Sequence, residues 1–457
     1  MAAKGVALLH EAGVPVSALQ LLPGDGAEVG GRLTGDARVD GVAFTGSVET
    51  AKRIQASMAE HLAPGAPLVA ETGGLNAMIV DSTALHEQAV TDVVASAFQS
   101  AGQRCSALRC LYVQEDVAED FLTMLLGAMD ELTLGDPWSL STDVGPVIDA
   151  EAAADIQAYI NEARAEGRLL KQLDAPAGGH FVGPAIIRVE GIESLHGEIF
   201  GPVLHVATYA VDQLDQVIHQ INQRGYGLTF GLHTRIDDRV QHIVDRVQVG
   251  NIYVNRNQIG AIVASQPFGG EGLSGTGPKA GGPDYVSRFS AQCKPSRSDT
   301  GALADGEEAV DSETLSQRLS ALPTGGMPAR GLDMPGPTGE SNRLYHVPRP
   351  PLLCLGPGTE AAEEQRRQVE AQGGAAIVVE RKLEPAALET LPNIGGVLWW
   401  GDTGTGRAFA KALARRDGPI VPLITTCPDR IHANYERHVC IDTTASGGNA
   451  QLLASVS

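Results

Sequence analysis

Apolar and polar positions fall into short blocks along the first 295 residues, and the period changes from block to block. Gly41-Val-Ala-Phe44 is a brief apolar run closed by Thr-Gly-Ser, the pattern of a strand followed by a turn. Residues 48–60 then follow helical spacing. Pro67-Leu-Val-Ala-Glu71 reads as a second strand, ended by Thr72-Gly73-Gly74, and Asn76-Ala-Met-Ile-Val80 as a third. Over 86–103, Val90, Val93, Val94, Ala97, Phe98 and Ala101 recur at helical spacing, which predicts a helix. Strands alternating with helices imply an α/β architecture with largely parallel sheets.

The pattern lapses from about 296 to 345. SRSDTGALADGEEAVDSETLSQ is polar and acidic, and GGMPARGLDMPGPTGESN is dense in Gly and Pro. This predicts a linker that buries little, with one short helix near 312–321. After 346 the alternation resumes. Leu352–Leu355, Ala375–Glu380, Gly396–Trp400, Ile420–Ile424 and His438–Ile441 read as buried strands, and 359–372 and 405–416 as helices. Together they predict a separate small α/β domain, followed by an extended polar tail at Asp442–Asn449.

Composition narrows the partners. A chain of 457 residues with 43% apolar content holds two to four domains and sizeable cores. No run approaches the roughly 20 apolar residues of a membrane helix. With 34 Lys+Arg against 55 Asp+Glu, the net charge of -21 repels phosphate backbones and anionic lipid, which sets aside nucleic acid and membrane as partners. The start, Met1-Ala2-Ala3-Lys4, has no signal core. Six cysteines, at 105, 110, 293, 354, 427 and 440, show neither CxxC nor zinc spacing. The expectation is a cytoplasmic protein with reduced thiols and no metal.

Several segments carry candidate chemistry, none specific by itself. Gly46 and Ser47 stand at a strand-to-helix turn that suits a phosphate. Pro23–Gly30 and Gly404-Thr-Gly406 depart from the dinucleotide fingerprint and read as plain turns. Glu71 ends a parallel strand, where ligand crevices form, yet an isolated Glu there reads first as an N-cap or a surface acid. Cys105, in Gln99-Ser-Ala-Gly-Gln-Arg-Cys-Ser106, is flanked by polar and small residues, and Arg104 beside it would favour a thiolate. Cys110, inside LRCLYV, reads as packing. Glu198-Ile-Phe-Gly-Pro202 could hold a sugar hydroxyl and wall a ring. Pro267-Phe-Gly-Gly-Glu-Gly-Leu-Ser274 sets an aromatic before flexible backbone donors.

Taken in order, Phe44-Thr-Gly-Ser47, Glu71-Thr-Gly-Gly74, Gly102-Gln-Arg-Cys105, Glu198-Ile-Phe-Gly-Pro202, Asn251-Ile-Tyr-Val-Asn255 and Pro267-Phe-Gly-Gly270 resemble the aldehyde dehydrogenase superfamily over about residues 1–295. The segment from Gly269 to Pro283 resembles the ending found in bifunctional proline utilisation proteins, in their L-glutamate γ-semialdehyde (Δ1-pyrroline-5-carboxylate) dehydrogenase half. The small C-terminal domain and Cys440–Asn449 are similar to longer members, whose extra domain is a non-catalytic relative of the dehydrogenase fold and whose tail covers the site. The resemblance implies a partial aldehyde dehydrogenase fold with parallel-sheet dinucleotide and catalytic domains, plus a C-terminal Rossmann-like α/β domain. The implied boundaries are 1–70 for the remnant of the NAD-binding domain, 71–265 for the cysteine-bearing catalytic domain and 266–295 for a substrate-anchor and oligomerisation segment. A linker at 296–345 and the C-terminal domain with its lid-like tail at 346–457 complete the chain.

The resemblance further implies NAD-dependent oxidation of L-glutamate γ-semialdehyde to L-glutamate, the second step of proline catabolism. Cys105 would be the nucleophile and Glu71 the general base for hydrolysis. The Cys105 N–H would be an oxyanion donor. Gly46 and Ser47 would hold the pyrophosphate, Thr72 and Gly73 would face the carboxamide, Glu198 would bind the nicotinamide ribose, and Phe200 would pack nearby. Ser106 with the backbone of Gly270 and Glu271 would grip the substrate carboxylate, against Phe268. A homo-oligomer is implied, with a proline dehydrogenase half that this chain lacks. The family's Pro-Trp-Asn segment, with a second oxyanion donor, and its Lys-Pro segment, with an adenosine-ribose ligand, have no counterpart here. Loss of one oxyanion donor costs roughly 10²–10³ in rate, so this polypeptide alone is expected to be impaired. Other readings are a non-catalytic assembly or lid fragment, a dehydrogenase of another aldehyde, and a Cys-dependent hydrolase, although no His stands near Cys105 in sequence.

Overall fold

Ala77–Val80 is apolar at every position and buried at every position. A strand of that kind needs cover on both faces, which is the situation inside a parallel sheet. In the computed structural model, which describes residues 1–290, 312–322 and 325–444, it lies near the middle of a ten-stranded sheet. Seven consecutive strands run parallel: Asn434–Asp442, Asn251–Val254, Thr229–His233, Ala77–Val80, Cys110–Gln114, Val203–Tyr209 and Ala185–Arg188. Antiparallel strands close both ends, with Leu169–Gln172 on one side and Glu340–Pro348 followed by Leu332–Met334 on the other. The helices His86–Phe98, Ala118–Asp130 and Ala150–Ala165 contribute to the core of this layer. The α/β architecture expected from the alternation is the one observed.

Two smaller units flank this sheet. Val42–Thr45 pairs in parallel with Leu68–Glu71, placing Thr45 beside Glu71, and the helix Val48–His61 follows the first strand. In the C-terminal part, Ala376–Val378, Leu352–Cys354, Gly396–Leu398 and Leu423–Ile424 form a four-stranded parallel sheet. Its helix Thr403–Ala414 packs on Val48–His61 through an ion pair from Lys411 to Glu60 at 2.5 Å, and Lys52 Nζ donates to the Arg416 carbonyl at 2.7 Å. Among the described residues no helix is long and apolar enough to cross a membrane.

Three local expectations differ from the structure. His438–Ile441 was assigned to the small domain, yet its strand, Asn434–Asp442, joins the main sheet next to Asn251–Val254. A run buried on both faces states its depth but not its sheet. The range 296–345, read as a linker that buries little, supplies Leu332–Met334 and the start of Glu340–Pro348 to that sheet. Asn342 and Leu344 alternate inward around the exposed Arg343, a short period hidden among Gly and Pro. The helix expected there is present at Ser312–Ala321, with Leu315 and Leu319 buried. The helix expected over 86–103 ends at Phe98. Cys293, residues 291–311 and the tail beyond 444 lie outside the described residues.

Candidate active site

The helix His86–Phe98 stops because the next turn leaves right-handed space. Ser100, Ala101 and Gly102 have φ of 57°, 55° and 64°. Such a conformation costs a non-glycine residue on the order of 1–3 kcal/mol and persists only where the surroundings enforce it. At Gly102 a side chain is excluded outright, since a Cβ would overlap the Gly201 carbonyl. The turn is held from beneath. Arg109 Nη1 donates to the Gly102 carbonyl at 2.8 Å, and Nη2 to that of Arg104 at 3.2 Å. Asn76 Nδ2 donates to the Cys105 and Ala107 carbonyls at 2.7 and 2.9 Å, while its Oδ1 accepts from the Thr229 N–H at 3.1 Å. Thr229 Oγ1 and Gln258 Nε2 both donate to the Ser106 carbonyl, each at 3.2 Å. The backbone on both sides of Cys105 is thereby fixed before any ligand arrives.

Cys105 is half-buried. Burial pushes its thiol up, the carboxylates of Glu71 and Glu198 push the same way, and the N–H groups of Ser106 and Cys105 oppose them. Arg104 does not provide the expected thiolate support; its Nε donates to Ser100 Oγ at 3.0 Å. The larger influences thus favour the thiol over the thiolate. Cys110 is fully buried within its strand, as expected of a packing residue.

Glu71 ends the strand Leu68–Glu71 and is neither a cap nor a surface acid. Its Oε2 accepts from the Gly270 N–H at 3.1 Å, and its Oε1 is buried with no partner. Burial pushes this carboxyl up to about 8, against the pull of Lys279 and the Gly270 N–H. Glu198 also acts on the cysteine. Its carboxylate is paired with Arg109 at 2.9 Å and accepts from the Gly74 N–H at 3.3 Å. A Cβ at Gly73 would overlap Glu198 Oε2, so a side chain there would displace that carboxylate. Phe200 is 46% exposed, with its ring centroid 5.4 Å from the Arg109 guanidinium.

The remaining expected residues are placed less uniformly. Gly46 donates to the Glu71 carbonyl at 3.1 Å, which sets that strand-to-helix turn beside Glu71. Ser47 Oγ accepts from the Thr50 N–H at 3.2 Å, the N-cap of an exposed helix start. Thr72 commits its hydroxyl to the Leu273 carbonyl at 2.6 Å and its N–H to that of Ser274 at 3.0 Å. Ser106 is buried at the Cys105 turn, and Phe268 is half-buried with its backbone paired to Ala280. Gly270 was expected to offer its N–H to a substrate carboxylate; here that N–H serves Glu71. The Glu271 side chain turns away from the cysteine into a bidentate pair with Arg437 at 2.7 and 2.9 Å. Gly404 and Gly406 lie in the first turn of a helix capped by Asp402, a plain structural start.

A comparison with family models matches residues 1–294 to the aldehyde dehydrogenase family. The chain belongs to that family. Among curated proteins it is 44% identical to the bifunctional protein PutA of Salmonella typhimurium, across 99% of this chain and 38% of that protein. It thus spans well under half the length of that relative. Among solved structures it is similar to proline utilization A from Bradyrhizobium japonicum, with a TM-score of 0.62 and 56% identity over 63% of this chain and 29% of that one. A 1-pyrroline-5-carboxylate dehydrogenase from Thermus with bound NAD gives a TM-score of 0.59 and 36% identity, over 63% of this chain and 56% of that one.

Within this aldehyde dehydrogenase arrangement, the residues that sequence reasoning missed are the ones that hold the others. Arg109 is 0% exposed and joins the cysteine turn to Glu198. Its signal was a charged residue opening the apolar strand LRCLYV, since a buried charge needs dedicated partners. Asn76, at the head of Ala77–Val80, was counted as part of a strand, and its side chain pins the cysteine turn. Lys279 is 2% exposed within a Gly- and Pro-rich stretch that read only as flexible backbone.

Proposed function

We propose that this site oxidises L-glutamate γ-semialdehyde to L-glutamate, with NAD as hydride acceptor. The observation that carries the reading is the placement of one thiol, Cys105, under the influence of both Glu71 and Glu198, on a turn whose Gly102, Arg104, Cys105 and Ser106 carbonyls are engaged by buried side chains. The names of the relatives, PutA and 1-pyrroline-5-carboxylate dehydrogenase, support this substrate, and the Thermus protein with bound NAD supports the cofactor.

The residues present fit part of a dinucleotide. Gly46 and Ser47 begin a 14-residue helix whose exposed N-terminus suits a pyrophosphate, and the Glu198 carboxylate beside Gly73 and Gly74 suits a ribose hydroxyl. In the proposed reaction Glu71, once ionised, takes the Cys105 proton. The sulfur then forms a bond to the aldehyde carbon, and the Cys105 N–H meets the resulting oxyanion. NAD supplies the acceptor for the hydride that leaves that carbon, and a thioester on Cys105 results. Glu71 then releases the proton taken from Cys105 to solvent and, ionised again, takes a proton from water as the water oxygen attacks the thioester. The C–S bond breaks, glutamate leaves, and the thiol is restored. Ser106, Phe268 and the Gly270–Glu271 backbone hold the substrate carboxylate and its aliphatic part, which requires Gly270 to exchange Glu71 for substrate. The same reading places the protein in the cytoplasm as a homo-oligomer acting beside a proline dehydrogenase.

The test is NADH absorbance on mixing the folded chain with NAD and glutamate semialdehyde. The reading requires NADH formation that is abolished by Cys105→Ala. An unchanged rate in that variant, or none from the parent chain, would overturn it.

A further inference from the structure

Lys279 is a buried cation that the reaction above does not use. It is 2% exposed and lies within the 266–295 segment, against the strand Asn434–Asp442. Its Nζ donates to Asn251 Oδ1 at 2.7 Å and to the Gly269 carbonyl. Asn251 Oδ1 accepts in turn from the Gly269 N–H at 3.2 Å, and Asn251 Nδ2 donates to the Pro267 carbonyl at 2.8 Å. The ammonium therefore grips both ends of residue 269, one directly and one through Asn251. The next amide along the chain, at Gly270, is the one that donates to Glu71 Oε2. Space for the ammonium depends on Gly250, where a Cβ would come within 2.7 Å of Nζ. The other end of the lysine is tied as well, its N–H donating to Glu436 Oε2 at 2.7 Å.

We propose that Lys279 is a positioning residue for the base: its ammonium fixes the Gly269–Gly270 peptide so that the Gly270 N–H meets Glu71, and its charge favours the Glu71 carboxylate. The inference rests on Glu71 as the base of the proposed reaction. A lysine is rarely buried without a compensating anion, because desolvation penalises the charge severely. Here Glu71, Glu436 and Glu271 supply the negative charge around it, while Arg437 and the desolvation itself oppose the ammonium. Toward Glu71, Lys279 favours the anion and Glu436 disfavours it. Glu71 in turn acts on Cys105, and His438 feels the Lys279 charge. Glu271 is neutralised by its pair with Arg437. Burial acts most strongly on Glu71, and against that background Lys279 and Glu436, brought by two different elements, are the opposing charges that tune how readily it ionises.

The experiment is an infrared titration of the full chain, which requires no turnover. The carbonyl stretch of the protonated Glu71 carboxyl is assigned by its loss in Glu71→Gln, and its midpoint is followed with pH. In Lys279→Met the midpoint should rise by about one pH unit or more, a tenfold change in the acid constant. Lys279→Arg, which restores the charge, should bring it back toward the parent value. Glu436→Gln should lower it, and this variant decides the matter if Lys279→Met does not fold. An unmoved midpoint in folded Lys279→Met, equal shifts in the Met and Arg variants, or a midpoint in Glu436→Gln that stays or rises would each overturn the proposal. Failure to form NADH would sink the proposed reaction while leaving this titration intact.

Discussion

Arg109 and Glu71 show how much of the site depends on single buried charges. Arg109→Met would leave Glu198 without its cation and the Gly102 and Arg104 carbonyls without a donor. Breaking one side of a buried pair costs about 3–5 kcal/mol, so urea unfolding should show a loss of that order. Arg109→Lys should not restore it, because an ammonium lacks the planar fork that reaches three groups at once. Glu71 behaves in the opposite sense. Its carboxyl is raised to about 8 in the folded protein, so the folded state favours the protonated form. The associated stability is complete below the ordinary carboxylate range and is lost as pH rises through about 8. Glu71→Gln should therefore stabilise the fold more at pH 9 than at pH 6, by on the order of 2–4 kcal/mol in thermal or urea unfolding. An equal effect at both pH values would show that the acid is not buried as described. Sequence singled out Cys105, Glu71 and Glu198 only through the ordered set of motifs that resembles the family, since none of the local patterns is specific by itself. It did not reveal Arg109, whose partners come from two separate stretches of chain, 102–104 and 198–201, and it misjudged Arg104, whose side chain turns to Ser100.

At the scale of elements, the strand Asn434–Asp442 matters most. It lies between Asn251–Val254 and Glu340–Pro348, and it carries Glu436 and Arg437 to the anchor segment. The Arg437–Glu271 pair is buried on both sides, each side chain 7% exposed. Arg437→Met should destabilise by about 3–5 kcal/mol, and most of that loss should disappear when Glu271→Gln is added, because the second change removes the stranded charge. Additive losses in the two changes would mean that the pair does not act as a unit. The strands themselves were legible, since runs such as Val203–Tyr209 and Cys110–Gln114 announce burial by composition. Sheet membership was not. Hydrophobic pattern records how deep a strand lies, whereas its neighbours are fixed by register with residues nearly two hundred positions away.

For the whole molecule, the α/β scaffold implied by the family resemblance is the one observed, and it sets Glu71 against Gly270 and within electrostatic reach of Cys105. The C-terminal part contributes twice, by docking its small domain on the helix Val48–His61 and by adding strands to the main sheet. The central claim is that Cys105 forms the covalent intermediate and Glu71 releases it. Peptide mass mapping after an acid quench, with the chain incubated with NAD and glutamate semialdehyde, tests it most directly. The account predicts an acyl adduct on Cys105 that accumulates in Glu71→Gln and turns over in the parent chain. NADH formation without any adduct on Cys105, or equal accumulation in both proteins, would contradict it.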